Sequence, residues 1–351
     1  MPFSLFKSQR KLGIDIGTAS IKAIELEKKD SRFNLTNYGL FEFKGSKNAA
    51  SGDENILKLP DSEIIWGVKE MLKRAKISTK DVVASIPSFS TFATMIEIPY
   101  LSEEELAKAI PFEAKKYVPL PLDEVVYDWS IIETTPQTGK APTVSVFLAA
   151  IPKEDALRYQ TIMKESGLNL LALELENSAL IRSLLGNDLS PTALINIGGR
   201  STSIIIVNRG YERLSHNYEI GGFEITRSIS RSLNVSLEKA EDLKRKMGLK
   251  ETDENVVNKA MVSLIDMMAF ETQKTITHYE EAKKQSVSRI LLVGGLANMP
   301  HFKEYFEKKL GRPIVTGNAL ARVISSPHIQ PLIGEISNTF AVALGLAMRE
   351  S

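Results

Sequence analysis

Gly13-Ile14-Asp15-Ile16-Gly17-Thr18-Ala19-Ser20-Ile21-Lys22 is the stretch around which the chain is organised. Leu12 to Ile16 is apolar or acidic and alternation resumes from Ile21 to Leu26, so the segment reads as strand, tight turn, strand. Gly17 is expected to turn the backbone at positive φ and to bring bare N–H groups close to a ligand. Thr18 and Ser20 add hydroxyls, Lys22 a cation, and Asp15 a carboxylate aimed at the same place. Amides beside one carboxylate suit a metal-bound phosphate: the N–H groups take the oxygens and the acid holds Mg²⁺ or its water. Alone, a strand-turn-strand with Gly-Thr is as readily a plain hairpin. Related pieces further along the chain decide the reading.

At 351 residues the chain is too long for one simple core, so two or more domains are expected. Hydrophobic residues make up 43% and charged residues 25%, as in ordinary globular proteins. Lys plus Arg number 44 against 43 Asp plus Glu, which gives no electrostatic argument for nucleic acid. There is no cysteine, which excludes disulfides and thiolate zinc sites. The four histidines (His216, His278, His301, His328) are too scattered for a metal site or a triad. No run of about 18 apolar residues would cross a membrane, and the leader is too charged for a signal peptide, so a cytoplasmic protein is expected.

Met1 to Lys11 sets Phe3, Leu5 and Phe6 beside Lys7, Arg10 and Lys11. That composition suits a weak membrane-surface contact, though a loose tail or first-strand extension explains it more simply. Strands follow near 12–16, 20–27 and 33–43, then a polar loop from Lys44 to Asn55 and an amphipathic helix from Asp61 to Lys76. From Asp81 the texture changes. A buried strand ends at Pro87, and a second strand spans Thr91 to Ile98. A capping box at Ser102 to Glu105 then opens a helix in which Pro111 is expected to force a kink or restart. Strands near 125–133 and 143–151 flank a loop from Thr134 to Pro142, and a helix from Pro152 is capped by Gly167. Residues 81–170 therefore read as a small α+β unit inserted into a larger frame.

The opening motif is then echoed. A strand from Leu170 runs into a helix expected to carry Glu174, Glu176 and Asn177. Ile195-Asn196-Ile197-Gly198-Gly199-Arg200-Ser201-Thr202-Ser203 repeats strand, glycine turn, hydroxyls and strand. Gly221 and Gly222 open a helix, Ser236 and Gly248 bound the next, and a long helix covers Asn255 to Lys283. Arg289 to Val293 is a buried strand leading into Gly294-Gly295-Leu296-Ala297-Asn298-Met299-Pro300, and an apolar small-residue helix runs from Thr339 to Met348.

Three glycine turns behind apolar strands, in this order, resemble the actin-like ATPase superfamily. The first two turns match its phosphate motifs and Leu291 to Pro300 its adenosine motif. Glu174–Leu184 and Phe340–Arg349 fall where its two inter-lobe helices belong. Within the superfamily the chain most resembles the PilM family of type IV pilus assembly, and next the FtsA family of cell division. Three stretches carry that likeness: Leu-Gly-Ile-Asp-Ile-Gly-Thr-Ala-Ser-Ile-Lys behind a Phe-rich basic leader, Glu-Ala-Lys-Lys-Tyr-Val-Pro-Leu-Pro-Leu-Asp-Glu-Val in the insert, and Ala-Glu-Asp-Leu-Lys-Arg-Lys-Met-Gly at 240–248.

The resemblance implies an α/β, two-lobed actin-like (ribonuclease H-like) ATPase fold with an inserted α+β subdomain of FtsA type. The first lobe would be 1–80, with 171–190 and 339–351 returning to it, and the insert 81–170. The second lobe would be 191–225 and 285–338, with a helical subdomain at 226–284. ATP and Mg²⁺ are the implied cofactors. Asp15, Gly17, Thr18, Ser20 and Lys22 would serve phosphate and metal. Asn196, Gly198, Gly199, Ser201, Gly221 and Gly222 would face them, Glu241 and Lys244 would meet ribose and base, and Gly294, Gly295 and Met299 would line the adenine pocket. The superfamily usually carries Asp where Asn196 stands, so ATP binding with slow or no hydrolysis is expected. Glu174 and Glu176 are the remaining candidates for positioning water.

The implied role is an assembly scaffold on the cytoplasmic face of the inner membrane. It would hold the cytoplasmic N-terminal tail of a PilN-like protein in a groove between first lobe and insert, with pilus motor or other platform proteins as further partners. Tyr117, Val118, Leu120 and Leu122 either line that groove or belong to the insert's own core. A membrane-tethered filament of FtsA kind is the alternative; the absence of an amphipathic tail after Met348 counts against it. A sugar kinase would need a base over an acceptor pocket, and none stands out.

Overall fold

The computed structural model describes residues 9–29, 32–43, 59–137, 140–250 and 256–350. The leader as far as Ser8, the expected loop at Lys44–Asn55 and the centre of the loop between Thr134 and Pro142 lie outside the described residues. Among those residues, no helix is long and apolar enough to cross a membrane.

Two sheets with the same opening pattern carry the structure. The first contains β1 (Gln9–Ile16), β2 (Ser20–Lys29), β3 (Arg32–Glu42), β4 (Asp81–Ile86), β8 (Asn169–Leu175) and β14 (Val323–Ile324), in the order β14-β3-β2-β1-β4-β8. The second contains β9 (Thr192–Ile197), β10 (Thr202–Asn208), β11 (Tyr211–Tyr218), β12 (Arg289–Gly294) and β13 (Ile314–Thr316), in the order β11-β10-β9-β12-β13. In each, an antiparallel three-strand meander leads and a parallel strand joins the first strand on its other side: β4 beside β1, β12 beside β9. The hairpins superpose in register, Asp15 opposite Lys22 and Asn196 opposite Ser203.

Strand periodicity sorts the side chains. Leu12, Ile14 and Ile16 face a core shared with α1 (Asp61–Arg74) and α3 (Lys153–Glu165). Ala193, Ile195 and Ile197 face a core shared with α5 (Gly222–Leu233), α6 (Leu237–Met247), α7 (Val256–Lys283) and α8 (Phe302–Leu310). Successive side chains point to opposite faces, which turns Gly13, Asp15, Leu194 and Asn196 the other way. There α4 (Glu176–Leu184) and α10 (Ala341–Ala347), with α9 (Ile333–Thr339) before it, lie in one core that takes residues from both sheets. α10 is all small or aliphatic residues and all buried, as a helix enclosed on every side must be.

The insert has its own three-stranded sheet, β5 (Phe92–Pro99), β7 (Lys140–Pro152) and β6 (Val125–Gln137), covered by α2 (Glu103–Ala114) around Ile96, Leu106, Ile110 and Val146. β4, α3 and the start of β8, expected within 81–170, belong by pairing and packing to the first lobe. Ser102 and Glu105 form the expected capping box. No restart occurs at Pro111: α2 runs through it to Ala114. The proline sits in the last turn of the helix, where it removes one terminal hydrogen bond and little remains to disrupt. Gly167, at φ +78°, closes α3 in a Schellman motif, with N–H bonds from Gly167 to Lys164 O and from Leu168 to Met163 O.

Two glycines set the close approaches at the centre. A Cβ on Gly345 would fall 1.9 Å from Ala179 O of α4, and one on Gly13 would fall 2.2 Å from Ala343 O of α10. Neither neighbour is a flexible side-chain end, so a methyl group there must push helices apart. Gly345→Ala is expected to cost about 3 kcal/mol and to lower the melting temperature by roughly 4 °C. Thermal unfolding followed by circular dichroism measures it; a shift under two degrees would contradict the tight crossing.

Candidate functional site

The first turn is closed by a hydrogen bond from Gly17 N–H to Ser20 O at 3.0 Å, and the second by Gly198 N–H to Ser201 O at 2.9 Å. Positive φ was expected at Gly17, but neither Gly17 nor Gly198 has it. The i to i+3 bond alone turns the chain, and any Cβ at these positions would press on the carbonyl three residues ahead, 3.2 Å away in both turns. Glycine here keeps the backbone bare rather than left-handed.

Asp15 is 3% exposed at the mouth of this turn. Its Oδ1 accepts from Ser85 Oγ at 2.9 Å and its Oδ2 from Lys22 Nζ at 3.1 Å. The opposite turn meets the first directly: a Cβ on Gly199 would lie 2.5 Å from that of Ala19. Gly221 packs on the back of the second turn, where a Cβ would be 2.7 Å from Gly199 O. The start of α5 is bonded to that turn through Gly222 N–H to Gly198 O and Phe223 N–H to Gly199 O, at 3.0 and 2.7 Å. Asn196 and Ser203 thus stand where Asp15 and Lys22 stand in the first lobe, without either charge.

Behind α5, Lys244 is 6% exposed. Its ammonium donates to Gly222 O and Thr226 Oγ1 at 2.9 and 2.8 Å and pairs with Glu241 Oε2 at 2.6 Å. Burial holds the Lys244 pKa below its ordinary value, against the pull of Glu241. Glu241 also takes Arg245 Nε at 2.8 Å, and Arg245 reaches across to Glu42 of the first lobe at 2.7 Å. A chain of charges therefore crosses from α6 to the end of β3. Gly294, at φ +94°, presses on Ile197 O, while Gly295 has open space where a Cβ would be. Met299 lies in the core beside Leu296.

The two inter-lobe glutamates part company. Glu174 ends β8 rather than entering the helix, and it is held by Arg182, which reaches both carboxylate oxygens, and by Arg349 at 3.5 Å. Glu176 opens α4 and is half-buried, on the side of Asp15 and Ser88. Burial first and the Asp15 charge second push its carboxyl up to about 8, opposed by Ser88 N–H and Lys22. Asn177 follows it, accepting from Ser88 Oγ and donating to Glu212 Oε2, both at 2.9 Å. Glu212 is 8% exposed, and burial raises its pKa in spite of bonds from Ser215 and Asn177.

The first turn, second turn and Glu176 are thus brought together, Glu241 and Lys244 lie behind α5, and Glu174 is taken into an ion-pair cluster. Sequence reasoning missed Ser85, Ser88, Glu212 and the Arg245–Glu42 bridge. Ser85 carried a signal, being the lone hydroxyl inside the apolar run Val82–Ile86. The others join residues up to 203 positions apart, and no local pattern marks them.

Comparison with known proteins follows this geometry. A family model described as type IV pilus assembly protein PilM matches residues 13–351. A solved PilM-PilN type IV pilus biogenesis complex is similar, with TM-score 0.81 and 23% identity over 97% of this chain and 98% of that one. MreB5 of Spiroplasma citri, solved bound to ADP, is similar at TM-score 0.56 and 13% identity, covering 96% and 94% of the two chains. Among curated relatives, cell division protein FtsA of Staphylococcus epidermidis is 21% identical over 94% of this chain and 79% of its own length. The fold is the two-lobed actin-like one that the glycine turns implied.

Glu212 yields a pH-dependent test. Its folded pKa is raised, so above the unfolded carboxyl value near 4.3 the folded state binds the extra proton and stability falls as pH rises. Glu212→Gln removes that loss. The melting temperature of the variant relative to wild type is expected to climb between pH 4.5 and pH 7 on a series of thermal scans; a constant difference would count against a proton-holding Glu212.

Proposed function

Because the chain belongs to the PilM family of type IV pilus assembly proteins, we propose that it is an ATP-binding scaffold of the pilus inner-membrane platform that holds the cytoplasmic tail of a PilN-like membrane protein. The observation that carries the nucleotide half is the meeting of two bare-backbone turns, at Ala19 and Gly199, with Asp15 beside one and Asn196 beside the other. The amides around Gly17 and Thr18 grip phosphate from one lobe, and those of Gly198, Gly199 and Ser201 from the other, with the Ser20 hydroxyl at the first turn. Glu241 and Lys244 serve ribose and base once their mutual pair opens, and Gly295 leaves room for the adenine. ADP in the structure of MreB5 supports this use of the fold.

Mg²⁺ fits the donor set. Asp15 and Glu176 are close enough for the charge of one to raise the other's pKa, with the Lys22 ammonium set against both. A divalent cation, held by these carboxylates or their water and by phosphate, supplies the missing positive charge. Lys22 neutralises Asp15 and Ser85 fixes its orientation. Glu176 is the group able to orient or accept a proton from water, while Asn196 contributes shape without charge. That combination favours holding nucleotide over turning it over. Restoring the acid with Asn196→Asp is expected to speed single-turnover ATP hydrolysis by about 10²-fold. Brisk hydrolysis by the natural chain would overturn the holding role.

The partner half draws on the exposed apolar surface of the insert. Val118 is buried in the insert core and Leu122 packs against it, whereas Tyr117 and Leu120 are each 40% exposed and Phe112 is 69% exposed. A peptide tail with apolar side chains would cover these three. Tyr117→Ala with Leu120→Ala is expected to weaken binding of a fluorescent PilN-like tail peptide at least tenfold while leaving nucleotide affinity unchanged; unaltered polarization curves would remove this surface from the interface. The platform role places the protein at the cytoplasmic face of the inner membrane through that partner. ATP-dependent pelleting of purified protein would instead favour a filament of the FtsA kind.

A further inference from the structure

One ion pair bridges the lobes beside the phosphate turns, and each of its ends is tied to a turn. Arg245, on α6 of the second lobe, donates to Glu42 at the end of β3 in the first lobe at 2.7 Å. Glu42 stands opposite Ser20 in the pairing of β3 with β2, and the adjoining Phe43 N–H donates to Ala19 O at 3.1 Å. On the second lobe, Arg245 Nε donates to Glu241, and Glu241 pairs with Lys244. Lys244 in turn donates to Gly222 O, and the N–H of Gly222 is bonded to Gly198 O. A continuous path of bonds therefore leads from the first turn to the second, and it crosses between the lobes at Glu42 and Arg245.

The other flank of the first turn is joined differently. The strand order β3-β2-β1-β4 puts Glu42 on one side of the β1–β2 hairpin and Ser88, just after β4, on the other. There Ser88 donates to Asn177 and Asn177 to Glu212 of the second lobe, and all three residues are buried. Buried polar bonds are costly to break, because the freed groups find no water. The Arg245 and Glu42 side chains are 60% and 34% exposed, so each can exchange the other for solvent at little cost. The two flanks thus differ in how readily they release.

We propose that the Glu42–Arg245 bridge is a releasable clasp that holds the two phosphate turns together over a bound nucleotide and sets how long it stays. The clasp rests on the nucleotide reading of the site. An exposed pair suits a contact that must break at every exchange, whereas the buried Ser88–Asn177–Glu212 bonds suit the side about which the lobes part. Glu241 gives Arg245 a second carboxylate, so the guanidinium keeps a partner while Glu42 is away and stays placed to rejoin it.

The test is the release of mant-ATP from the full-length protein, chased with excess ATP in a stopped-flow instrument. Glu42→Gln keeps the shape and removes the charge, and release is expected to quicken about threefold, the scale of one exposed ion pair. In an Arg245→Gln background the same change should have no further effect, because the two groups act as one unit. Raising the salt should speed release from wild type more than from Glu42→Gln, since exposed pairs are screened. Unaltered melting curves certify the variants. An unchanged rate in Glu42→Gln, an equal effect with and without Arg245, or the same salt response in wild type and variant overturns the clasp and leaves the nucleotide site standing. Failure of the wild-type chain to bind mant-ATP overturns the nucleotide reading and the clasp with it.

Discussion

The whole molecule rests on how closely two buried helices can approach. α4 and α10 form the one core that both sheets share, and their contact depends on the bare Cα of Gly345 against Ala179 O. The strand that leads to the first turn is drawn onto the same pair by Gly13. Because strand side chains alternate, fixing Gly13 against α10 also fixes Asp15 on that face, two residues further along. The site carboxylate is therefore positioned by a packing constraint one residue pair away, before any ligand contributes. Close packing of this kind transmits displacement, since the interior has no slack to absorb it.

The site is weakly charged where chemistry would occur and strongly cross-linked where the lobes meet. Between the turns stand Asp15, its lysine partner, and Glu176, whose carboxyl burial and then the Asp15 charge push up. At the mouth, Lys244, Glu241, Arg245 and Glu42 form a continuous ion-pair chain from one lobe to the other. At the far side of the cleft floor, Asn177 ties the root of the insert, through Ser88, to Glu212 of the second lobe. The Ser88–Asn177–Glu212 bonds, being buried, favour one lobe arrangement over others more than they add stability, whereas the Arg245–Glu42 pair is solvent-exposed.

The fold was largely legible because it is duplicated. Each hairpin taken alone is ambiguous, but a second apolar strand, glycine turn and hydroxyl pair at Ile195–Ser203 repeats the first in register. The strands and the long helices followed from period and caps, as at Ser102 and Ser236. What escaped was decided by partners distant in the chain. Glu174 and Glu176 look alike in sequence, yet Arg182 and Arg349 claim the first, and the turn of chain from β8 into α4 delivers the second to Asp15. The sequence change at Asp81 marked a new unit too early, because β4 is apolar for the sake of the first sheet rather than the insert.

The contact between Ala19 and Gly199 bears on kinetics as well as shape. With Gly199 packed against Ala19, parting of the lobes is the motion that would widen the space between the two turns. Were only the open arrangement to take nucleotide, the apparent dissociation constant would be the intrinsic one divided by the fraction of molecules standing open, and the association rate would scale with that fraction. Anything that wedges the lobes, a bound tail or a neighbouring subunit included, would raise that rate without touching a single group that holds the nucleotide.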